Sequence, residues 1–144
     1  MSPEENKAII RRWFEEFWNA NNPDVADELT HPDYPEEGGL SGAEGNKQGL
    51  AFWRNVLPDQ HFTLDEVIAE GETVIVRWTS VGTHQGEWAT PIGTIPATGK
   101  VTTVPGTSTY HLRDGKIIQD WNHIDFLGML QQIGVVVKAG ETSI

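Results

Sequence analysis

The chain contains no cysteine and few basic residues. Without cysteine it forms no disulfide, uses no thiolate nucleophile and binds no metal through sulfur. Ten Lys and Arg stand against 21 Asp and Glu, which gives a net charge of −11. Nucleic-acid binding needs a basic face that displaces counterions from phosphate, and binding to anionic membranes needs a basic cluster. The charge therefore argues against both kinds of partner.

Long apolar runs are also missing. No stretch approaches the ~20 apolar residues of a transmembrane helix. The N-terminus reads Met-Ser-Pro-Glu-Glu and has neither the basic nor the apolar region of a secretory signal peptide. Together with the lack of cysteine, these features predict a cytoplasmic protein.

Helical patterns dominate the first part of the 144 residues. Ser2-Pro3-Glu4-Glu5 has the form of a capping box, and apolar residues then recur at helical spacing until Asn21-Asn22-Pro23 ends the helix. Further helices are predicted over 24–29, 43–57 and 126–133, with Asp125 as the N-cap of the last. No repeat or linker interrupts the chain, so residues 1–144 are expected to form one domain.

The periodicity changes from helix to strand after residue 58. Strands are predicted over 62–68, 73–81, 101–112 and 117–124, and Pro105-Gly106 indicates a bulge within the third. Residues 82–100 are expected to form a long hairpin or loop. Helices followed by consecutive strands indicate an α+β fold with a curved antiparallel sheet packed on the helices. A second copy of the chain against the outer sheet face is expected to complete a homodimer or a tetramer.

The turn at residues 113–116 determines which side chains of the last two strands share a face. A two-residue turn at Asp114-Gly115 and a three-residue loop at 113–115 give opposite results. The three-residue loop is favoured because only Gly115 then needs a positive φ. It places Ser108 opposite Asp120 and Gly106 opposite Asn122. The shared face then carries polar groups among apolar ones, which is typical of a ligand pocket: Ser108, Tyr110, Ile118, Asp120, Asn122 and Ile124.

Several segments in order resemble one known family. They are His31-Pro32-Asp33, Thr83-His84-Gln85-Gly86-Glu87, Pro96-Ala97-Thr98-Gly99-Lys100, Asp114-Gly115-Lys116-Ile117 and the stretch from Asp125 to Gly134. This pattern resembles the SnoaL-like polyketide cyclases of the NTF2-like superfamily. The resemblance implies a cone-shaped α+β barrel with a deep apolar pocket for a hydrophobic small molecule, homo-oligomers and no cofactor. It also implies an enzyme that closes a polyketide ring by an aldol reaction, or a relative with isomerase or lyase chemistry.

Four positions depart from the cyclases of that family. The cyclases carry His at the position of Asp120 and the acid–base Asp at the position of Asn122, and they align His with Ser108 and Gln with Gly106. Asn122 cannot take a proton as a carboxylate does. The resemblance therefore implies the fold, whereas the cyclase mechanism does not carry over residue by residue.

Asp120 is the first candidate for an acid–base group. If it faces an apolar pocket, burial raises its pKa and suits it to exchange a proton with a carbon next to a carbonyl. Asn122 is the second catalytic candidate because its amide, supported by Ser108 or Tyr110, can hold a developing oxyanion. The alternative is an Asp120 that bonds a strand neighbour or faces solvent.

Other residues are expected around the substrate. Tyr34 and Glu36 lie in a loop that can cover the pocket, and Glu36 is a second possible base or simply an exposed loop residue. Trp53 and Trp78 are expected in the core and the pocket wall. His123 and Asp125 have the spacing of two iron ligands, but no third ligand is within reach, so no metal site is predicted.

Three functions fit these features. The first is an enzyme that acts by proton transfer on a hydrophobic carbonyl compound, of the cyclase, isomerase or lyase type. The second is a protein that binds such a compound without converting it. The third is an association module whose sheet face is the functional surface.

Overall fold

The computed structural model of the protein describes residues 1–36, 39–40, 42–135 and 139. Within these residues, three α-helices precede six strands and a fourth α-helix follows them. The helices are α1 Pro3–Arg12, α2 Val25–Leu29, α3 Gly42–Val56 and α4 Phe126–Gln132, and a π-helical segment, Trp13–Asn19, continues α1. The strands are β1 His61–Glu70, β2 Thr73–Thr83, β3 Trp88–Thr90, β4 Gly93–Ile95, β5 Val101–Arg113 and β6 Lys116–Ile124. The predicted α+β class is confirmed.

The first helix begins as its sequence predicts. The Ser2 hydroxyl accepts from the Glu5 amide at 3.1 Å and the Glu5 carboxylate accepts from the Ser2 amide at 3.2 Å, which completes the capping box. After Arg12 the helix widens into π-helical turns, and the Ala20 amide donates to the Glu15 carbonyl at 2.9 Å. The guanidinium of Arg54 donates to the carbonyls of Trp18 and Asn19. A half-buried cation thus satisfies carbonyls that a helix end leaves open.

The main sheet has the antiparallel order β1-β2-β5-β6, and β3 pairs with β4 in a separate hairpin within residues 82–100, which were predicted as a long hairpin or loop. The expectation of a closed barrel is wrong, because β1 and β6 form opposite edges that do not pair. Four strands cannot close around an interior of useful size. The helices cover the concave face instead and provide the other wall of the core.

The last hairpin corrects the predicted turn. Arg113 pairs with Lys116, and both Asp114 and Gly115 have positive φ, 52° and 74°, so the turn has two residues. The three-residue loop was wrong because an Asp side chain tolerates the left-handed conformation at little cost. The predicted bulge at Pro105-Gly106 is also wrong, since pairing with β2 continues through it without a shift.

A bulge on β6 reverses the effect of the wrong turn. The register shifts at Ile118, which has no partner between the pairs Leu112–Ile117 and His111–Gln119. The shift restores the parity that a three-residue loop would have given. The partners nevertheless differ from the prediction: Tyr110 lies opposite Asp120, and Ser108 lies opposite Asn122.

Two apolar clusters fill the space between helices and sheet. The larger joins α1, the π-helical segment and α2 to the inner face of the sheet and contains the fully buried Ile10, Phe14 and Phe17. The smaller joins the end of α3 to the β3–β4 hairpin and α4 through side chains that include Val56, Trp88 and Met129. None of the described helices is long and apolar enough to cross a membrane.

Candidate functional site

A cavity of about 150 Å³ lies between the helices and the inner face of the sheet. Helices and strands both contribute side chains to its wall. Aromatic rings are the largest group of side chains in its wall: Trp13, Phe14, Trp18, Trp53, Phe62, Trp78, Tyr110 and Phe126. Polar side chains line it at Asn46, Gln60, Ser80, Ser108, Asp120 and Asn122. An apolar chamber with a few polar groups is the usual form of a small-molecule site.

Trp78 of β2 is held in this wall by its neighbours on β5. The indole Nε1 donates to the Ser108 hydroxyl at 2.9 Å. The ring lies across Gly106, where an added Cβ would overlap its six-membered ring. Phe62 packs edge-on against the indole, with ring centroids 5.0 Å apart. Gly106 and Ser108, two of the departures from the cyclase pattern, therefore share one physical role, which is to accommodate Trp78.

The polar side chains form a continuous chain of hydrogen bonds that starts at Trp78. Ser108 accepts from the indole and donates to the Asn122 Oδ1 at 2.6 Å. The Asn122 Nδ2 donates to the Asp120 Oδ2 at 2.8 Å, and the Tyr34 hydroxyl donates to the Asp120 Oδ1. The chain ends at the carboxylate, which accepts from both sides. Its direction orients Asn122 with the amide nitrogen toward Asp120.

Tyr34 reaches Asp120 from the loop between α2 and α3. Its backbone amide donates to the His31 carbonyl at 3.0 Å, and its ring packs so closely on Gly42 that a Cβ there would overlap it. Tyr34 also lines an outer vestibule of about 370 Å³. Asn46, Asp120 and Asn122 line both the cavity and the vestibule, so they mark the junction between the two spaces.

Burial raises the pKa of Asp120, and the hydrogen bond from Asn122 opposes part of that rise. The Tyr34 hydroxyl acts in the same direction as Asn122, since it too stabilises the ionised form. Burial also raises the pKa of the fully enclosed Tyr110. Asp120 is thus a partly desolvated carboxylate with two donors and a raised pKa, which makes it a stronger base than an exposed aspartate.

The structure brings most of the predicted site residues together. Trp53, Trp78, Ser108 and Tyr110 line the cavity with Asp120 and Asn122, and Tyr34 closes the junction. Two residues lie elsewhere. Ile118 does not line the cavity because it is the unpaired residue of the β6 bulge, and its neighbour Ile117 enters the core instead. Glu36 is exposed and lines neither space.

Sequence reasoning missed Asn46 at the junction. It lies on α3 with its Nδ2 donating to the Gly42 carbonyl at 2.7 Å. The signal was present, since Asn46, Leu50, Trp53 and Leu57 recur at helical spacing and Asn46 is the one polar member of that stripe. Gln60 and Ser80 were missed as well; they bond each other at 3.1 Å beside the cavity. Among the described residues, no three His, Asp or Glu side chains cluster in a way that could hold a metal ion.

The sequence profile of the SnoaL-like polyketide cyclase family matches residues 8–133 of the chain. No curated protein sequence matches it. Among solved structures, TsrD from Streptomyces laurentii has a TM-score of 0.80 at 25% identity, over 94% of this chain and 99% of that one. A proposed polyketide cyclase from Acidithiobacillus ferrooxidans has a TM-score of 0.76 at 26% identity, over 92% and 97%. The proposed hydroxylase AclR from Streptomyces galilaeus has a TM-score of 0.78 at 24% identity, over 95% and 89%, and this likeness shows the fold alone.

Proposed function

Because the chain belongs to the SnoaL-like polyketide cyclase family, we propose that it is a cytoplasmic enzyme that transfers protons to and from a hydrophobic, polyketide-like carbonyl compound. The observation that carries the proposal is the position of Asp120. It is a half-buried carboxylate at the junction of an apolar cavity and a vestibule, and two hydrogen-bond donors flank it. The proposed chemistry is of the cyclase, isomerase or lyase type, in which a carbanion forms next to a carbonyl.

The hydrogen-bond donors around Asp120 can follow the negative charge as it moves from the carboxylate to the substrate oxygen. Asp120 takes a proton from the carbon next to the carbonyl, and the electron pair of that C–H bond moves onto the carbonyl oxygen. Asp120 then becomes neutral, so Tyr34 and Asn122 lose the anion to which they donate. Their O–H and N–H groups can turn to the enolate oxygen, where the negative charge has moved. The carbanion then takes the proton back from Asp120, or it attacks a second carbonyl carbon and the alkoxide so formed takes that proton. Either step regenerates the carboxylate.

The decisive experiment removes the carboxylate and keeps the shape. Asp120→Asn is expected to lower the rate of proton exchange at the carbon next to a ketone by about 10²–10⁴-fold, the range for loss of a general base. Hydrogen–deuterium exchange of an aryl methyl ketone, followed by NMR, measures that rate. Asp65→Asn is the matched control, since Asp65 lies on the opposite face of the sheet. Exchange in Asp120→Asn within about tenfold of the wild-type rate would exclude Asp120 as the base.

One observation supports a second candidate, a non-catalytic binding protein of the same fold. Both oxygens of Asp120 already accept a hydrogen bond from the protein, an arrangement that also serves to hold a polar ligand group. A binding protein is expected to show ligand-dependent thermal stabilisation without solvent exchange or product. An increased melting temperature together with exchange at the background rate would favour this candidate over the enzyme.

We also propose that the protein forms a homodimer through the outer face of the sheet. One row of paired residues crosses all four strands there, Ile68–Ile75–Thr109–Trp121. Its three large apolar side chains are 52, 40 and 41% exposed, and Thr109 lies between Ile75 and Trp121. The row is thus a largely apolar surface on an acidic chain. A two-fold axis through this row would place it against its own copy.

Sedimentation of matched variants tests the dimer. Ile75→Asp places a charge within the row and is expected to give a folded monomer where the wild type is a dimer. Ile92→Asp is the control, because Ile92 is exposed in the β3–β4 turn, outside the main sheet. A monomeric wild type, or a dimer that Ile75→Asp leaves intact, would rule out this interface.

A further inference from the structure

The volume of the inner cavity limits what can enter it. At about 150 Å³ it equals an apolar cavity of known behaviour, which holds one benzene molecule. The aromatic wall suits a flat, apolar group of that size. At that volume a second fused six-membered ring leaves little free space within the cavity, so it would press on the aromatic wall. The vestibule, of about 370 Å³, can take a further substituent on the other side of the junction.

Trp78 is the part of the wall that sets this limit. Its indole stands between the cavity and Gly106, and three contacts hold it there: the bond to Ser108, the close packing on Gly106 and the edge contact with Phe62. A ring fixed at both its nitrogen and its face cannot turn aside without losing a buried hydrogen bond. Replacement of Trp78 by a small residue would open space directly toward β5.

The charges around the site limit the ligand further. In the described part of the chain, neither the cavity nor the vestibule is lined by Lys, Arg or His. Asp120 is the charged residue that both share. A carboxylate or phosphate on the ligand would therefore be desolvated next to a like charge and without a cation to pair with it. Both spaces suit an uncharged compound.

We propose that the site takes an uncharged aryl carbonyl compound with a single six-membered ring in the inner cavity, and that Trp78 determines this specificity by excluding a second fused ring. Only the placement of the carbonyl group beside Asp120 and Asn122 rests on the proposed function. Ring size and charge are selected by the cavity itself, whether or not the compound is converted.

Three probes and three variants test the inference by calorimetric titration. The probes are acetophenone, 2-acetylnaphthalene and benzoate, which differ in ring number and in charge. The wild type is expected to bind acetophenone at least about tenfold more tightly than either other probe, a difference typical of a mismatched pocket. Trp78→Ala is expected to reduce or reverse the preference for one ring. Val81→Ala, a change on the outer face of the same strand, is expected to preserve it.

Each outcome decides the question. Equal or tighter wild-type binding of the naphthyl ketone or of benzoate would overturn the inference, and so would a Trp78 variant with an unchanged ring preference. If Trp78→Ala does not fold, Trp78→Phe provides the same comparison with a smaller increase in volume. Failure of both ketones to bind would overturn the inference and the proposed substrate class together. A clear ring preference with no proton exchange in the wild type would contradict the enzyme and leave the specificity assignment standing.

Discussion

The two faces of the main sheet are built from the same strands and differ in how fully their side chains are engaged. On β2, Val76 is completely buried while its neighbour Ile75 is 40% exposed. The inner face connects Trp78, Ser108, Asn122 and Asp120 through side-chain hydrogen bonds. The outer row through Ile75 and Trp121 has no covering element in the described part of the chain. Alternation along each strand thus separates a face that lines the cavity from a face that leaves large apolar side chains exposed.

The two faces should therefore respond to different kinds of substitution. On the inner face, stability and cavity shape depend on side-chain volume. Three contacts fix Trp78 in the cavity wall, and a close-packed interior transmits even a small change in the volume of a neighbouring side chain. The outer face depends on contiguous area and tolerates changes that keep the surface apolar. Substitutions of the same chemical type on the two faces should therefore have different effects on the folded monomer.

The largest difference is expected for an added methyl group. Gly106→Ala places a Cβ in the space of the Trp78 ring, so it should destabilise the protein by about 1–3 kcal/mol, the usual cost of overpacking. Gly49→Ala is the matched control within α3, where a Cβ meets nothing within 4 Å. There alanine should stabilise by about 0.5–1 kcal/mol, because glycine loses more backbone freedom in a helix. Urea unfolding followed by tryptophan fluorescence measures both changes in the free energy of unfolding. Changes of the same sign would contradict the close packing of Trp78 on Gly106.

A smaller difference is expected when methyl groups are removed. Val76→Ala deletes two methyl groups from a fully buried position and should cost about 2 kcal/mol through lost burial and the cavity it leaves. Val81→Ala makes the same change where the side chain is 41% exposed, and it should alter the free energy of unfolding by less than about 0.5 kcal/mol. Similar costs for the two in the isolated monomer would mean that the outer face is as tightly packed as the inner one.

The sequence predicts the elements well because their signals are local. The capping box at Ser2, the N-cap at Asp125 and the period-two pattern of β2 each involve only neighbouring residues, and all are confirmed. The face of the sheet that carries Asp120 was predicted from a wrong turn and a missed bulge at Ile118, two errors that cancel in parity. Pairing partners and bulges depend on the packing of both strands, so one strand's sequence does not specify them.

The assembly of the site is less accessible to sequence. Tyr34 and Asp120 lie 86 residues apart in the chain, and their contact depends on Gly42, which lets the tyrosine ring lie against α3. The sheet remains open because β1 and β6 do not pair, and no local sequence pattern encodes which strands become its edges. Gly106 and Ser108 could be recognised as departures from the cyclase pattern. Their common purpose in accommodating Trp78 became evident only from the packing.

The smallest expected effect concerns the pH dependence of stability, which should have opposite signs for two carboxylates. Burial raises the pKa of Asp120 above its ordinary value of 3.8, so the folded state binds this proton more tightly than the unfolded chain. Below about pH 4 Asp120 is protonated in both states and does not lower the free energy of unfolding. As pH rises toward the folded-state pKa, Asp120 lowers that free energy progressively. Relative to Asp120→Asn, the wild type should lose stability as pH rises from about 4 to the raised folded-state pKa.

Asp59 provides the matched comparison outside the cavity. It accepts from the Thr83 amide and the Thr83 hydroxyl, both at 2.7 Å, and these bonds lower its pKa below 3.8. Its stabilising contribution is present above the unfolded value and is lost as pH falls through the lowered one. Relative to Asp59→Asn, the free energy of unfolding of the wild type should therefore increase as pH rises toward about 4 from below. Urea midpoints from pH 2.5 to 8 give both slopes, and a flat Asp120→Asn difference would mean that water solvates this carboxylate as freely as in the unfolded chain.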